Sequence, residues 1–307
     1  MNLLITGCCG HIGSYLVNNI YKINKIKKTY IIDNFYSTQI NSLFNTKEKN
    51  NIKFYNLDLT KKNSLKKFNK IDYVIHLASM TNAAGSFNKK SEMYKNNIDC
   101  MKNIINFCKQ KKAKLIHISS TSVYGKQTSL VDETCEKQFL KPQSPYADIK
   151  LIEEEMLKKA SKKMSYVTYR FGTISGISSG MRFHTAVNKF CLNASIGEPI
   201  AVYKTALNQF RPYLSLKDAF KVFEFTINKN LFKNDIYNAV SENCTVNQII
   251  QKIKKYKKKI KIKFVYAEIM NQLSYHVDKK KLNKEGLYLK NKISNDIKDT
   301  IKLLNNI

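Results

Sequence analysis

Two rhythms of apolar and polar residues alternate along the chain. Short, nearly continuous apolar runs read as buried strands at Asn2–Thr6 (NLLIT), Thr29–Asp33, Ile52–Asn56, Asp72–Ala78 (DYVIHLA), Lys114–Ser119 (KLIHIS) and Ser165–Phe171. Between them lie longer stretches with helical patterning, at His11–Ile23, Ser91–Lys111 and Pro145–Lys163. Strands without a polar face, separated by helices of this size, predict a parallel sheet covered on both faces, that is, an α/β doubly wound architecture. After about residue 172 the rhythm becomes irregular. Gly172–Gly180 (GTISGISSG) reads as a loop, and Asp218–Asn228 and Val246–Lys258 as helices with a strand at Ile236–Val240 between them. The pattern predicts a sheet domain over 1–172 and a smaller lobe over 173–307, with segments of about 211–240 returning to the sheet.

The first strand runs into TGCCGHIG, where Gly7, Gly10 and Gly13 recur three apart and open a helix. Glycines at this spacing permit a tight turn, a close approach of backbone to a pyrophosphate and close helix–strand packing. The helix N-terminus then offers N–H groups and the positive end of its dipole to phosphate. Asp33 ends the second strand, 20 residues after Gly13, where a carboxylate bonds ribose hydroxyls and repels a 2′-phosphate. Turn and carboxylate together indicate NAD rather than NADP.

Charge adds a competing possibility. The 307 residues carry a formal net charge of +30, with 53 Lys and Arg against 23 Asp and Glu. Only Arg170, Arg182 and Arg211 are arginines, and arginine is the residue of base-edge and bidentate phosphate readout. A lysine excess spread along the chain therefore argues against nucleic acid. Its densest run, KIKKYKKKIKIK at 252–263, reads as a solvated helix face passing into a strand, with a polyanion patch as the alternative. The seven cysteines show no metal-ligand spacing, and no metal is expected. Apolar runs too short to span a bilayer and the absence of a leader pattern before the glycine turn predict a cytoplasmic protein without membrane association.

Downstream of the fifth strand, SPYADIK places Tyr146 and Lys150 four apart, on one face of a helix. An ammonium beside a phenol favours the phenolate, which predicts a lowered Tyr146 pKa and a base near neutral pH. With the glycine turn, Asp33 and SSTSVYG at 119–125, the chain resembles the extended short-chain dehydrogenase/reductase family, in its NAD-dependent nucleotide-sugar epimerase/dehydratase branch. TGCCGHIG resembles the family's TGxxGxxG, Asp58-Leu59 its acidic-apolar pair beside adenine, and HLAS at 76–79 its strand end beside the cofactor. FRPYLSLKDAF at 210–220 resembles its RDYIHVDDxA motif, and IGEPIAVY at 196–203 the stretch beside the nucleotide base.

The resemblance implies a Rossmann-type NAD-binding domain and a C-terminal substrate-binding lobe. It implies Ser120, Tyr146 and Lys150 as the catalytic set. It also implies cofactor contacts from Gly7, Gly10, His11, Ile12, Gly13, Asp33, Asn34, Asp58, Leu59, Leu77, Ala78, Ser79 and Asn97, besides Tyr146 and Lys150. Substrate contacts fall to Ser120, Thr121, Thr173, Arg182 and Arg211, the last where the family grips a nucleotide diphosphate. The implied partners are a nucleotide-diphosphate sugar and a second copy of the chain. His76 and His117 are expected to be packed and hydrogen-bonded, and His184 to be an ordinary loop residue, with a bond to a sugar hydroxyl as the alternative.

Departures from the family pattern narrow the expectation. Thr121 and Ser122 stand where the 4,6-dehydratases carry Asp-Glu, and the decarboxylating branch also needs a glutamate there. Thr173 replaces the asparagine of RxxN, and Lys204–Leu207 (KTAL) replaces a G-x-G. GISSGMRFHTAVNKF at 176–190 is similar to a segment of sugar-nucleotide C4 oxidoreductases acting on heptose derivatives. Hydride transfer at one sugar carbinol remains, as a 4-epimerase. The alternatives are a C4 dehydrogenase or ketoreductase and, outside enzymes, a NAD-sensing or polyanion-binding protein.

Overall fold

The computed structural model describes residues 1–37, 40–44, 51–81, 86–127, 130–265 and 275–305. Its centre is a seven-stranded sheet in which every pairing is parallel. Five strands come from the first part of the chain: β1 (Asn2–Thr6), β2 (Lys28–Asp33), β3 (Ile52–Asn56), β4 (Tyr73–His76) and β5 (Lys114–Ser120). Tyr166–Phe171 pairs with β5, and Asp235–Ala239 pairs with Tyr166–Phe171 at the far edge. From β1 the order runs outward through β2 and β3 on one side and through β4 and β5 on the other. Strand order therefore reverses at β1, and the crevice outside its carboxyl end is where such sheets take a ligand.

Alternation along β1 divides the core. Leu3 and Ile5 face α1 (His11–Asn19) and the helix Leu216–Lys229, packing with Leu16, Val17, Ala219 and Phe223. Leu4 faces the opposite layer, with Met101 and Ile104 of α2 (Lys90–Lys111) and Leu157 of α3 (Pro145–Ala160). Helix α3 starts sharply because Ser144 Oγ accepts the Ala147 N–H at 3.2 Å and Pro145 occupies the first helical position. Helix α1 stops at Asn19 and passes into a single 3₁₀ turn, Ile20–Lys22.

A smaller lobe surrounds a second core of Val187, Cys191, Ile249, Ile253, Ile297 and Ile301. Its three-stranded sheet joins Thr173–Ser175 in parallel to Phe210–Ser215, which runs antiparallel to Glu242–Thr245. Thr245 and Gln248 form a reciprocal capping box that opens the helix Val246–Lys254. That helix ends before Lys258, inside a run of lysines whose like charges disfavour further turns. Among the described residues no helix is long and apolar enough to cross a membrane.

Candidate active site

At the carboxyl ends of β1, β2 and β4 lies a cleft of about 540 Å³, lined by Gly7, Gly10, Asp33, Asn34, Leu59, Leu77, Ala78, Ser79 and Arg182 among others. The glycine turn forms its floor. Gly7 has φ +69°, and a Cβ there would meet the backbone of Leu77 and Ala78 at 2.6 Å. A Cβ on Gly13 would land on the Gly7 carbonyl oxygen. Asp33 holds the turn from β2, its Oδ2 accepting the Cys9 N–H at 2.9 Å and its Oδ1 the Phe35 N–H at 2.9 Å. Helix α1 opens after Gly10 without a side-chain cap, so the His11, Ile12 and Gly13 stretch forms an uncapped helix N-terminus at the cleft. The His11 ring points away, its Nε2 donating to the Gly176 carbonyl at 2.8 Å, and burial lowers its pKa to about 4.

The β4 wall is pinned to β1 through Thr6. Its hydroxyl oxygen accepts the N–H groups of Leu77 and Ala78, both at 3.2 Å, and donates to His76 Nδ1 at 2.8 Å. Burial drives His76 down to about 3, so the ring is neutral. Two of the residues expected at the cofactor also bond within the protein. Asn97 is buried and directs both ends of its amide to the Met80 backbone, at 2.8 and 3.1 Å, while its neighbour Asn96 lines the cleft. Asp58 Oδ1 accepts from the N–H and hydroxyl of Thr60, and Leu57 and Leu59 supply part of the apolar wall of the cleft. Cys8, Cys9 and Asp33 bring ligand atoms within 4.8 Å of one another. Hydrogen bonding with Cys9 and burial push the Cys8 thiol up, and Asp33 is committed to backbone donors, so neither Cys8 nor Asp33 is a ready ligand for a cation.

Beyond the β4 wall the catalytic candidates converge. Ser120 ends β5, and its Oγ lies 2.8 Å from Ser122 Oγ and within hydrogen-bond reach of the half-buried Tyr146. Lys150 lies one turn along α3, its Nζ 5.8 Å from the Tyr146 ring centre. The pairing expected from spacing is present, but the expected lowering of the Tyr146 pKa is not. Burial raises it, and Lys150 and Ser120 oppose that without overcoming it. The ammonium has a nearer partner: Lys150 Nζ donates to Glu153 Oε2 at 2.7 Å, and His117 Nε2 donates to the same oxygen at 2.9 Å. Burial disfavours charge on Glu153, yet Lys150 and His117 outweigh it and hold the carboxyl down to about 2. Burial likewise works against the Lys150 ammonium, and Glu153 turns the net direction upward. Beside this group a second buried pair, Arg170 with Glu154, closes with two hydrogen bonds of 3.0 and 2.7 Å, and Ser119 donates to Glu154 at 2.6 Å.

Glu153 and Glu154 were missed from the sequence. Their signal was available, because residues three and four after Lys150 share its inward helix face. Thr121 is buried, donating to the Phe171 carbonyl at 3.3 Å, and Tyr275 lies against its hydroxyl. Thr173 and Arg211 fall on the adjoining strands of the smaller lobe, and Phe210 stacks on His276 with ring centres 5.2 Å apart. Arg182 has other neighbours. Its Nη1 donates to Thr81 Oγ1 at 2.9 Å, and it lines the cleft beside Gly10. His184 is exposed and also lines the cleft.

The chain is 27% identical over 299 residues to a trifunctional UDP-glucose 4,6-dehydratase/UDP-4-keto-6-deoxy-D-glucose 3,5-epimerase/UDP-4-keto-L-rhamnose-reductase of Arabidopsis thaliana, covering 93% of this chain and 44% of that one. It is 29% identical over 252 residues to a dTDP-D-glucose 4,6-dehydratase of Dictyostelium discoideum, covering 77% and 57%. The chain thus spans about half the length of the curated relatives it matches first. A UDP-N-acetylglucosamine 4-epimerase from Methanobrevibacter ruminantium, solved in complex with UDP-N-acetylmuramic acid, superposes with a TM-score of 0.87 at 25% identity, covering 100% of this chain and 99% of that one. The family model that matches residues 3–239 completes the assignment: the chain belongs to the NAD dependent epimerase/dehydratase family.

Proposed function

We propose that the chain epimerises C4 of a nucleotide-diphosphate sugar, through a 4-keto sugar, with NAD that stays bound through the cycle. The observation that carries the reading is the convergence of Ser120, Tyr146 and Lys150 beside the cofactor cleft, with no carboxyl group at the two positions after Ser120. When bound, NAD supplies the acceptor and later the donor of the hydride. The rest falls to the side chains. Ser120 Oγ bonds the reacting sugar hydroxyl and Tyr146 Oη takes its proton, returning it after the sugar has turned its other face. Lys150 favours the phenolate against the burial that opposes it. Thr173 and Arg211 hold the sugar nucleotide from the smaller lobe, which on this reading is the substrate lobe of 173–307.

Dehydration is the main competitor, because several relatives are named for it. It needs groups that remove a proton from the neighbouring carbon and expel water. Thr121 is committed to Phe171, and Ser122 bonds Ser120. The reading also includes a homodimer through α2 and α3. The test is proton NMR of the purified protein with UDP-, GDP-, CDP- and dTDP-hexoses. A C4 epimer without net NADH supports the proposal. A released 4-keto sugar with stoichiometric NADH identifies a C4 dehydrogenase instead, and a 4-keto-6-deoxy product a dehydratase.

A further inference from the structure

The segment 176–185 leaves the smaller lobe and lies across the glycine turn. Gly176 accepts from His11 Nε2 at 2.8 Å, Ser179 Oγ accepts from Asn18 Nδ2 at 3.2 Å, and the Gly180 N–H donates to Ser14 Oγ at 2.8 Å. The approach is as close as backbone permits, since a Cβ on Gly180 would strike the carbonyl oxygens of Cys9 and Gly10. The fastening delivers Arg182 into the cofactor cleft. Its Nη1 is held by Thr81 at 2.9 Å, and its Nη2 lies 3.7 Å from where a Gly10 Cβ would stand. Its Nε is buried without a hydrogen-bond partner among the described residues. Lys89, the other strongly basic residue lining the cleft among the described residues, is drawn to Tyr36 and Glu92.

We propose that Arg182 binds the diphosphate of the cofactor, not that of the sugar nucleotide, and that residues 176–185 form a clasp holding this cation opposite the α1 N-terminus. A diphosphate at the glycine turn meets backbone N–H groups and the helix dipole on one side. The guanidinium supplies fixed positive charge and two-pronged donors on the other. Arg211, 29 positions further on and on a strand of the smaller lobe, is the arginine assigned to the substrate under the proposed function. The clasp also explains why a cation here comes from sequence remote from the turn: it is carried in by backbone-to-backbone packing at Gly180, which no side chain longer than hydrogen would allow.

The test measures binding rather than turnover. Dissociation constants of NAD, ADP, adenosine and UDP are determined by calorimetry for the wild type, Arg182→Met, Arg182→Lys and Thr81→Val, each checked for fold by circular dichroism. Loss of charge-assisted hydrogen bonds to a phosphate predicts a weakening of NAD and ADP by about 10- to 100-fold in Arg182→Met. Adenosine and UDP should change less than about 2-fold, Arg182→Lys should recover part of the loss, and Thr81→Val should show a loss of a few fold. An Arg182→Met variant that binds NAD and ADP as the wild type does, or one that loses UDP instead, overturns the assignment. If Arg182→Met does not fold, the same criteria apply to Arg182→Lys and Thr81→Val.

Discussion

Replacing Glu153 by Gln keeps the shape of the group that joins Lys150 to His117 and removes its charge. Lys150 is 4% exposed and Glu153 1%, so the ammonium has no water to turn to. The nearest other carboxylate, Glu154, is already closed on Arg170 and Ser119. The variant has two ways out. An ammonium left buried without its partner destabilises the fold by about 3–5 kcal/mol. Alternatively Lys150 folds neutral, which costs the free energy of deprotonating a lysine of ordinary pKa, about 4.6 kcal/mol at pH 7 and about 1.9 at pH 9. The smaller cost governs, so the deficit shrinks from about 3–5 kcal/mol at pH 7 to about 2 at pH 9. The sign follows from proton counts. Between pH 7 and 9 the unfolded variant keeps the Lys150 proton while the folded one releases it, so variant stability rises with pH. In the wild type the Lys150 pKa is raised, the group is charged in both states, and it contributes no slope there. At roughly 2 °C per kcal/mol for a chain of this length, calorimetry should find Tm lower by about 6–10 °C at pH 7 and by about 4 °C at pH 9. Activity should fall as well, because a neutral Lys150 no longer opposes the burial of Tyr146. A Tm difference that does not vary with pH, or none at all, would refute the argument.

Other perturbations separate chemistry from scaffold. Tyr146→Phe should lower epimer interconversion by about 10²–10⁴-fold while NAD affinity and Tm stay close to wild type, as seen by NMR turnover and calorimetry. Glu154→Gln should cost about 3–5 kcal/mol by stranding Arg170, whereas Glu154→Gln combined with Arg170→Met should recover much of that in urea unfolding. Asp296 is buried and bonded to Ser175 and Ser215, and burial raises its pKa to about 6. Between an unfolded value of about 3.9 and that level the folded state holds a proton the unfolded state has lost, so this group's contribution falls by about 2 kcal/mol as pH rises from 4 to 6. Asp296→Asn should remove that slope from Tm-against-pH curves, and unchanged slopes in both proteins would exclude Asp296 as the titrating group.

The sequence by itself determined what rests on neighbours a few residues apart. Apolar runs specified β1 through β5, helical spacing put Tyr146 and Lys150 on one face of α3, and Gly7, Gly10 and Gly13 marked a tight turn between β1 and α1. In each case the cause is local backbone geometry, which leaves a short period in the chain. Tertiary structure alone decided which charge Lys150 meets first, and with it the upward direction of the Tyr146 pKa. Desolvation is set by everything packed around a group, and no local pattern encodes it. The turning of Asn97 onto Met80 and the burial of Thr121 likewise arose from contacts that a motif does not contain. Arg182 is the clearest case. It reaches the glycine turn through Gly180, 166 positions from its partner Ser14, because one glycine lets two backbones touch where the chain gives no periodic sign that they meet.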